Sequence, residues 1–123
     1  FESPAAEYTE LGLSLDNLLI ANANATFIGL ANGSSMEKVG IYSGDLLIVD
    51  RSQKPNNKDI IVANFNGTFV CKIIDITTGT LLSASDEHAP VKINEGDVFQ
   101  LEGVVISAVR IFKDRQRLMS CLP

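Results

Sequence analysis

The sequence predicts a mostly β domain with one or two short helices, on three observations. Residues 46–49 form a continuous apolar run, Leu-Leu-Ile-Val, which is typical of a buried strand. Two further apolar runs flank Asn66-Gly67, the residue pair preferred in a type I′ hairpin turn. Turn residues recur at short intervals through the rest of the chain, as they do in all-β proteins. One β domain is therefore expected.

The first elements are an arm, a helix and a strand. Residues 1–13 show no sustained apolar period, so we expect a flexible N-terminal arm ahead of a single domain over residues 14–123. Ser14 is placed to cap a short helix over residues 15–20, in which Leu15, Leu18 and Leu19 share one face. Residues 25–30 are predicted to form a strand that ends near the turn at Asn32-Gly33.

The remaining elements are strands and turns. After the strand at residues 46–49, the polar residues 51–58 are expected to form a surface loop. The sequence then predicts a hairpin over 59–65 and 68–74, and a second turn at 77–79 that leads into 80–83. A short strand at 91–93 and two last strands, at 98–101 and 103–112, complete the prediction.

Composition excludes several function classes. The chain has 123 residues, which fits one domain with a sizeable core. Its formal net charge of −5 argues against a broad basic surface that binds nucleic acid, so no direct sequence-specific DNA binding is expected. No apolar run approaches the roughly 18 residues of a membrane-spanning helix, so no membrane partner is expected.

Lys72 is the first candidate for chemistry, because it lies within the apolar run at residues 69–74. Strand alternation places it on one face with Val70 and Ile74, and both faces are apolar, so the strand is predicted to be central. Desolvation disfavours the charged amine and lowers its pKa, which would let it act as a general base. A lysine at a strand end that extends to solvent is the plainer interpretation.

Ser35 is the second candidate. It follows Asn32, Gly33 and Ser34, a glycine-bearing turn after a strand, which would expose a hydroxyl on a tight bend. Such a bend also directs backbone N–H groups outward, as an oxyanion site requires. Met36 would anchor the segment to the core. An ordinary serine-rich loop remains the alternative. Together, Ser35 and Lys72 predict a Ser-Lys hydrolase.

Other candidate sites are weaker. His88 is the single histidine, but its polar loop favours a solvated side chain over a Ser-His-Asp triad. The carboxylate pairs Asp86-Glu87 and Glu95 with Asp97 lie in predicted turns. The glycines lack the spacing of a phosphate-binding loop, so no cofactor is expected. Four basic residues near the end are predicted to form a charged tail rather than a contact with a partner or a phosphate: Arg110, Lys113, Arg115 and Arg117.

The two cysteines predict neither a metal site nor a disulfide. Cys71 and Cys121 have no CxxC spacing and no histidine partner, so a zinc site is not expected. Cys71 is interpreted as a buried thiol, and a disulfide at Cys121 would constrain little. Reduced cysteines favour a cytoplasmic setting.

Several segments in order resemble the LexA/UmuD family of self-cleaving Ser-Lys peptidases, over nearly the full length. Gly-Ser-Ser-Met at residues 33–36 is similar to the serine box of the family, and Gly-Asp-Leu-Leu-Ile-Val-Asp at 44–50 to the strand after it. Phe-Val-Cys-Lys at 69–72 resembles the lysine strand, and Gly-Val-Val at 103–105 the last long strand. Residues 1–8 look like the segment just after the self-cleavage point in the UmuD branch.

The resemblance implies roles for these residues. It implies twisted β-sheets and ribbons, with Ser35 as nucleophile and Lys72 as general base. It further implies that the backbone N–H groups of Ser34 and Ser35 form the oxyanion site. The scissile bond of the family does not occur in this sequence, so the chain is expected to begin close to the processed form.

The resemblance also implies partners. In the UmuD branch the processed form is a homodimer that joins a Y-family polymerase catalytic subunit, UmuC-like, in error-prone translesion synthesis during the SOS response. RecA filaments on single-stranded DNA stimulate the cleavage. Two alternatives remain at this point. One is the C-terminal self-cleavage and dimerisation domain of a LexA-like repressor, which would carry a helix-turn-helix upstream. The other is a dimer that only binds partners and carries a vestigial dyad.

Overall fold

The computed structural model describes residues 7–122 and contains one antiparallel β-sheet. Seven strands form it, in chain order: β1 (Thr26–Leu30), β2 (Leu46–Asp50), β3 (Ile60–Phe65), β4 (Thr68–Asp75), β5 (Thr80–Leu82), β6 (Val91–Lys92) and β7 (Phe99–Val109). Two short helices, α1 (Leu15–Leu19) and α2 (Arg115–Cys121), and a 3₁₀ turn (Glu37–Val39) complete the structure. The predicted fold class, mostly β with few short helices, is confirmed.

The order of the strands places β4 in the interior of the sheet, between β3 and β5. The full order is β1-β2-β7-β3-β4-β5-β6. The predicted hairpin over β3 and β4 is present, and Asn66 and Gly67 adopt φ values of 52° and 86°. Those positive values are the ones that a type I′ turn requires, which explains the choice of residues. The prediction that the lysine strand is central is therefore correct.

The predicted break between two last strands is wrong. Residues 99–109 form the single long strand β7, which pairs with β2 on one side and β3 on the other. The pairing with β3 shifts register between Val62 and Ala63, opposite Gly103 and Leu101. An irregular register absorbs an extra residue without ending a strand. Gly103 therefore marks a bulge rather than the strand boundary that the sequence predicts.

The two helices differ in how well the sequence predicts them. Ser14 caps α1 as expected, and its Oγ accepts a hydrogen bond from the N–H of Asn17 at 3.5 Å. Leu15 and Leu18 of that helix are exposed, so its apolar face does not pack on the core. Residues 115–121 form α2 where the sequence predicted only a charged tail. Residues 1–6 of the predicted arm lie outside the described residues, and residues 7–13 contain no helix or strand.

Two groups of buried side chains form the core. The first group comprises Ala31, Met36, Ile41, Leu47, Val49 and Ala84, and the second comprises Ile61, Ala63, Ile74, Leu81 and Val104. The first group includes Met36, which is only 3% exposed. Its burial fixes the chain next to Ser35, as the sequence predicted. Among the described residues, no helix is long and apolar enough to cross a membrane.

Candidate active site

The turn that carries Ser35 is fixed by backbone hydrogen bonds at both ends. On one side the N–H of Ala31 donates to the carbonyl of Asp45 at 2.8 Å, and the N–H of Gly44 returns a bond to Ala31 at 2.9 Å. On the other side the N–H of Ile41 donates to the carbonyl of Met36 at 3.2 Å. Ser35 therefore lies on a short loop between two anchored points, directly before a buried side chain.

An ion pair beneath the loop adds a third constraint. Asp45, which is 2% exposed, accepts hydrogen bonds from the Nε and Nη2 of Arg110, each at 2.8 Å, and from the N–H of Tyr42 at 2.9 Å. The Arg110 guanidinium lowers the pKa of Asp45 to about 2, against the effect of burial. Arg110 also donates to the carbonyl of Gly40. This arginine, assigned from the sequence to a charged tail, instead joins the end of β7 to the loop.

Lys72 reaches the site from the interior strand β4. Ile61 of β3 lies opposite it on one side and is 1% exposed. The side chain of Lys72 is half-buried, and its Nζ donates to the Oγ of Ser83 at 2.7 Å. Burial lowers the pKa of Lys72 below its ordinary value. The direction agrees with the expected cost of desolvating an amine.

Ser35 and Lys72 border one cavity of about 260 Å³. The turn at residues 31–36 forms one wall and residues 69–72 of β4 form another. The fold thus brings the two predicted site residues to the same space. The hydrogen bond that Lys72 makes there goes to Ser83, and none joins it to Ser35 within residues 7–122. Hydrogen bonds between catalytic groups are often long in the absence of substrate.

The backbone around Ser35 has the polarity that an oxyanion site needs. The carbonyls of Ser34 and Ser35 accept bonds from the N–H groups of Glu37 and Ala84, at 3.4 Å and 2.7 Å. Both carbonyl oxygens therefore already accept hydrogen bonds from the protein backbone. Over the described part of the chain, the N–H groups of Ser34 and Ser35 donate to no protein acceptor. An oxyanion site needs N–H donors that no protein acceptor already occupies, and these two meet that condition.

An apolar groove of about 290 Å³ continues from the cavity. Phe27 and Leu30 of β1, Leu47 of β2, Val62 of β3 and Phe69 of β4 line it. Phe69 is 66% exposed although it is a large aromatic side chain. An apolar groove next to the cavity that Ser35 borders is suited to hold the side chains of an extended peptide.

The remaining candidates have other surroundings. His88 also borders the cavity, but its Nδ1 contacts the Oγ of Ser85 at 3.0 Å and no carboxylate among the described residues. Asp86 pairs with Lys38 at the surface. Asp97 accepts from the N–H of Asn94 at 2.7 Å, which is turn chemistry as predicted. Neither the triad nor a paired-carboxylate site is therefore supported by geometry.

The surroundings of the cysteines form no metal site within the described part of the chain. Both are free. Burial raises the pKa of Cys71 to about 11, so its thiol stays protonated near neutral pH, and Cys121 is exposed on α2. Within residues 7–122, no group of three or more His, Cys, Asp or Glu side chains is placed to hold a metal ion.

Sequence reasoning missed Ser83. Pairs such as Ile73 with Leu82 and Ile74 with Leu81 set the register of β4 against β5, and one further step places Ser83 opposite Lys72. The signal was present in the predicted hairpin over residues 68–83. The register of its turn was not fixed by the sequence, so the partner of Lys72 could not be named.

Comparisons with known proteins identify relatives of the chain. The profile of a family described as Peptidase S24-like matches residues 1–106. The chain is 43% identical to Protein SamA of Salmonella typhimurium over 109 residues, which cover 89% of the chain and 76% of SamA. It is 44% identical to Protein ImpA of the same species over 72 residues, or 58% of the chain and 50% of ImpA. It is 32% identical to the LexA repressor of Bordetella avium over 108 residues, or 86% of the chain and 50% of that repressor. The match to ImpA or LexA thus spans half the length of the relative.

Proposed function

Since the chain belongs to the peptidase S24-like family, which includes LexA and UmuD-like proteins, we propose that it is a self-cleaving serine endopeptidase domain with Ser35 as nucleophile and Lys72 as general base. The observation that supports this most is the shared cavity, which is bordered by a serine on an anchored turn and by a half-buried lysine of the interior strand β4. No carboxylate among the described residues pairs with Lys72 to hold it in the charged state.

The proposed reaction is acyl transfer from a peptide to Ser35. Neutral Lys72 takes the proton of the Ser35 hydroxyl while Oγ attacks the scissile carbonyl carbon. The N–H groups of Ser34 and Ser35 stabilise the oxyanion that forms. Protonated Lys72 then gives its proton to the leaving amine as the C–N bond breaks. Water releases the acyl group by the reverse sequence and regenerates Ser35.

We further propose that the physiological substrate is the N-terminal arm of the same protein, and that the processed product is the working form. That form would be a cytoplasmic homodimer that assembles with a Y-family, UmuC-like polymerase subunit in SOS mutagenesis, after cleavage stimulated by a RecA filament on single-stranded DNA. The similarity to SamA over 89% of the chain supports this branch of the family. The net charge of −5 suits a protein that reaches DNA through partners.

A second candidate function is the self-cleavage and dimerisation domain of a LexA-like repressor, which the match to a LexA repressor over 86% of the chain favours. The protein sequence encoded upstream of residue 1 in the natural gene distinguishes the two candidate functions. A short arm upstream of residue 1 is expected for the mutagenesis protein, whereas a helix-turn-helix domain and linker would establish the repressor. A gel-shift assay of the full-length protein also separates them, because only the repressor should bind operator DNA.

The test of the catalytic assignment uses the full-length precursor. Ser35→Ala and Lys72→Ala precursors are incubated beside the wild type, with and without a RecA filament, and the fragments are measured by mass spectrometry. We expect the wild type to be cut within its N-terminal arm and both variants to remain intact. A Ser85→Ala precursor, which loses a hydroxyl near the cavity that contacts His88, is the matched control and should be cut normally. Cleavage of the Lys72→Ala precursor at the wild-type rate would remove the assignment.

A further inference from the structure

Ser83 makes a hydrogen bond with Lys72 in the site, and the proposed mechanism gives Ser83 no role. It lies one residue beyond the end of β5, in register with Lys72 on β4. Its Oγ accepts from the Nζ of Lys72 at 2.7 Å in a half-buried environment. The distance is that of a well-formed hydrogen bond, and the two residues are cross-strand neighbours.

The backbone beside Ser83 is tied to the turn that carries Ser35. The N–H of Ala84 donates to the carbonyl of Ser35 at 2.7 Å, and the carbonyl of Ala84 accepts from the N–H of Lys38 at 2.9 Å. Ala84 itself is buried at 8% exposure. Ser83 therefore occupies a fixed position relative to Ser35, although the two residues belong to different segments.

We propose that Ser83 is a positioning residue for the reaction, whose hydroxyl fixes the amine of Lys72 in the direction of Ser35. The inference rests on the proposed function. A lysine side chain has four rotatable bonds, so an amine in an open cavity would sample many directions. A hydroxyl partner fixes one N–H without supplying a negative charge. A carboxylate in the same place would stabilise the ammonium and remove the base.

The other titratable groups that border this cavity are Cys71 on β4 and His88 on the loop after β5. The turn at residues 31–36 contributes no charged side chain, and β3 presents Ile61 opposite Lys72. The pH profile of the site is therefore also measured in a His88→Gln background, so that the imidazole at the cavity cannot contribute to it. The thiol of Cys71 has a pKa of about 11, above the useful range.

The test measures modification of Ser35 by a fluorophosphonate probe in the chain of residues 1–123. Ser35 Oγ forms the bond to phosphorus, fluoride leaves, and the hydroxyl proton passes to Lys72. Intact-mass spectrometry gives the rate from pH 6 to 10 for the wild type and for Ser83→Ala, Ser83→Thr, Ser85→Ala and Lys72→Ala. Each is measured with and without His88→Gln, and urea unfolding establishes that each variant is folded.

We expect Ser83→Ala to lower the plateau rate by about 10- to 100-fold, the scale of a misplaced catalytic group. The midpoint of its profile should also move to lower pH, because the ammonium loses a hydrogen-bond acceptor. Ser83→Thr keeps the hydroxyl and should restore the rate, while Ser85→Ala should match the wild type. A merely structural role would lower the folded fraction and leave the midpoint unchanged.

Two results would overturn the inference, and they are distinguishable. If Lys72→Ala abolishes labelling while folded Ser83→Ala keeps the wild-type rate and midpoint, Ser83 has no positioning role and the proposed function stands. If the probe labels Ser35 of the Lys72→Ala variant at the wild-type rate, the proposed function fails and the role of Ser83 fails with it.

Discussion

At the scale of single residues, the site depends on an amine whose charged form the fold destabilises. Lys72 lies on an interior strand, is half-buried, and has a neutral hydroxyl as its partner. A desolvated ammonium costs free energy in the folded state. The same cost gives the neutral amine that the proposed mechanism requires, so stability and activity should oppose each other at this position.

Lys72→Met tests that opposition. The variant should lose self-cleavage, yet its free energy of unfolding at pH 7 should equal or exceed that of the wild type. The lowered pKa of Lys72 means that its charge destabilises the folded state below that pKa, and the penalty declines as pH rises from the folded-state pKa to the unfolded-state pKa. Urea unfolding from pH 6 to 10 should therefore show any advantage of Lys72→Met shrinking with pH. A variant destabilised at every pH would contradict this account.

The ion pair of Asp45 with Arg110 should contribute to stability in a pH-dependent manner. The folded-state pKa of Asp45 is about 2, below its unfolded value, so the contribution is present above about pH 4 and is lost as pH falls towards 2. The side chain of Arg110 is 38% exposed, so solvent screening reduces the effect, and we expect Arg110→Met to lower the free energy of unfolding at pH 7 and to lower it less at pH 2.5.

Urea unfolding at pH 7 and pH 2.5 measures that cost. Lys38→Met is the control, because it breaks the exposed pair with Asp86 and should cost less than about 1 kcal/mol. An equal loss for Arg110→Met at both pH values would show that packing, not the charge on Asp45, is responsible.

At the scale of elements, the long strand β7 joins the two parts of the sheet and needs a glycine at one position. A Cβ on Gly103 would lie 2.7 Å from Cγ1 of Val49 and 3.0 Å from the carbonyl oxygen of Asp50. The close neighbour strand therefore excludes a side chain. The sequence predicts a break there instead, because a glycine in an apolar run signals either a boundary or a bulge.

Gly103→Ala should be destabilising by about 1–3 kcal/mol, the usual cost of overpacking. Gly29→Ala on β1 is the matched control, since nothing lies within 4 Å of the added carbon, and it should be neutral. Thermal and urea unfolding of both variants would measure the difference. Equal stability of the two alanine variants would show that β2 and β7 separate at little cost.

The sequence predicts individual helices, strands and turns better than it predicts which distant segments contact each other. Asn66-Gly67 predicted its hairpin because both residues favour positive φ, and Ser14 predicted the start of α1. Ser35 and Lys72 are predicted individually from residue type and environment, and their catalytic roles stay a prediction. The contact with Ser83 and the pairing of Asp45 with Arg110 join segments distant in sequence, and only the register of the sheet brings them together. The short helix α2 has no strong start signal and was missed.

At the scale of the whole molecule, the chain combines the proposed site at Ser35 and Lys72 with exposed apolar side chains. Ile28 and Leu30 on the edge strand β1 are 58% and 56% exposed, and Phe69 beside the groove is 66% exposed. Such groups commonly mark surfaces that contact other chains. They are consistent with the homodimer proposed for the processed form.

Sedimentation equilibrium of residues 1–123 tests the proposed dimer. We expect a mass of twice the 13.3 kDa of the chain at micromolar concentration. The Ser35→Ala variant should dimerise equally, because its hydroxyl lies in the cavity and takes no part in folding contacts among the described residues. A monomer at about 100 μM would exclude a stable homodimer.

The central claim, that Lys72 is the base for Ser35, is tested most directly by comparing two titrations. Nuclear magnetic resonance of lysine-labelled protein gives the pKa of the Lys72 amine, with Lys72→Met to assign its signal. Single-turnover self-cleavage of the precursor with Ser35 in place, measured over a range of pH, gives the pH at which the cleavage rate is half-maximal. We predict that the amine titrates below its ordinary range and that the rate rises at the same pH. A rate that rises at a pH unrelated to the Lys72 titration, or that persists in Lys72→Met, would contradict the account.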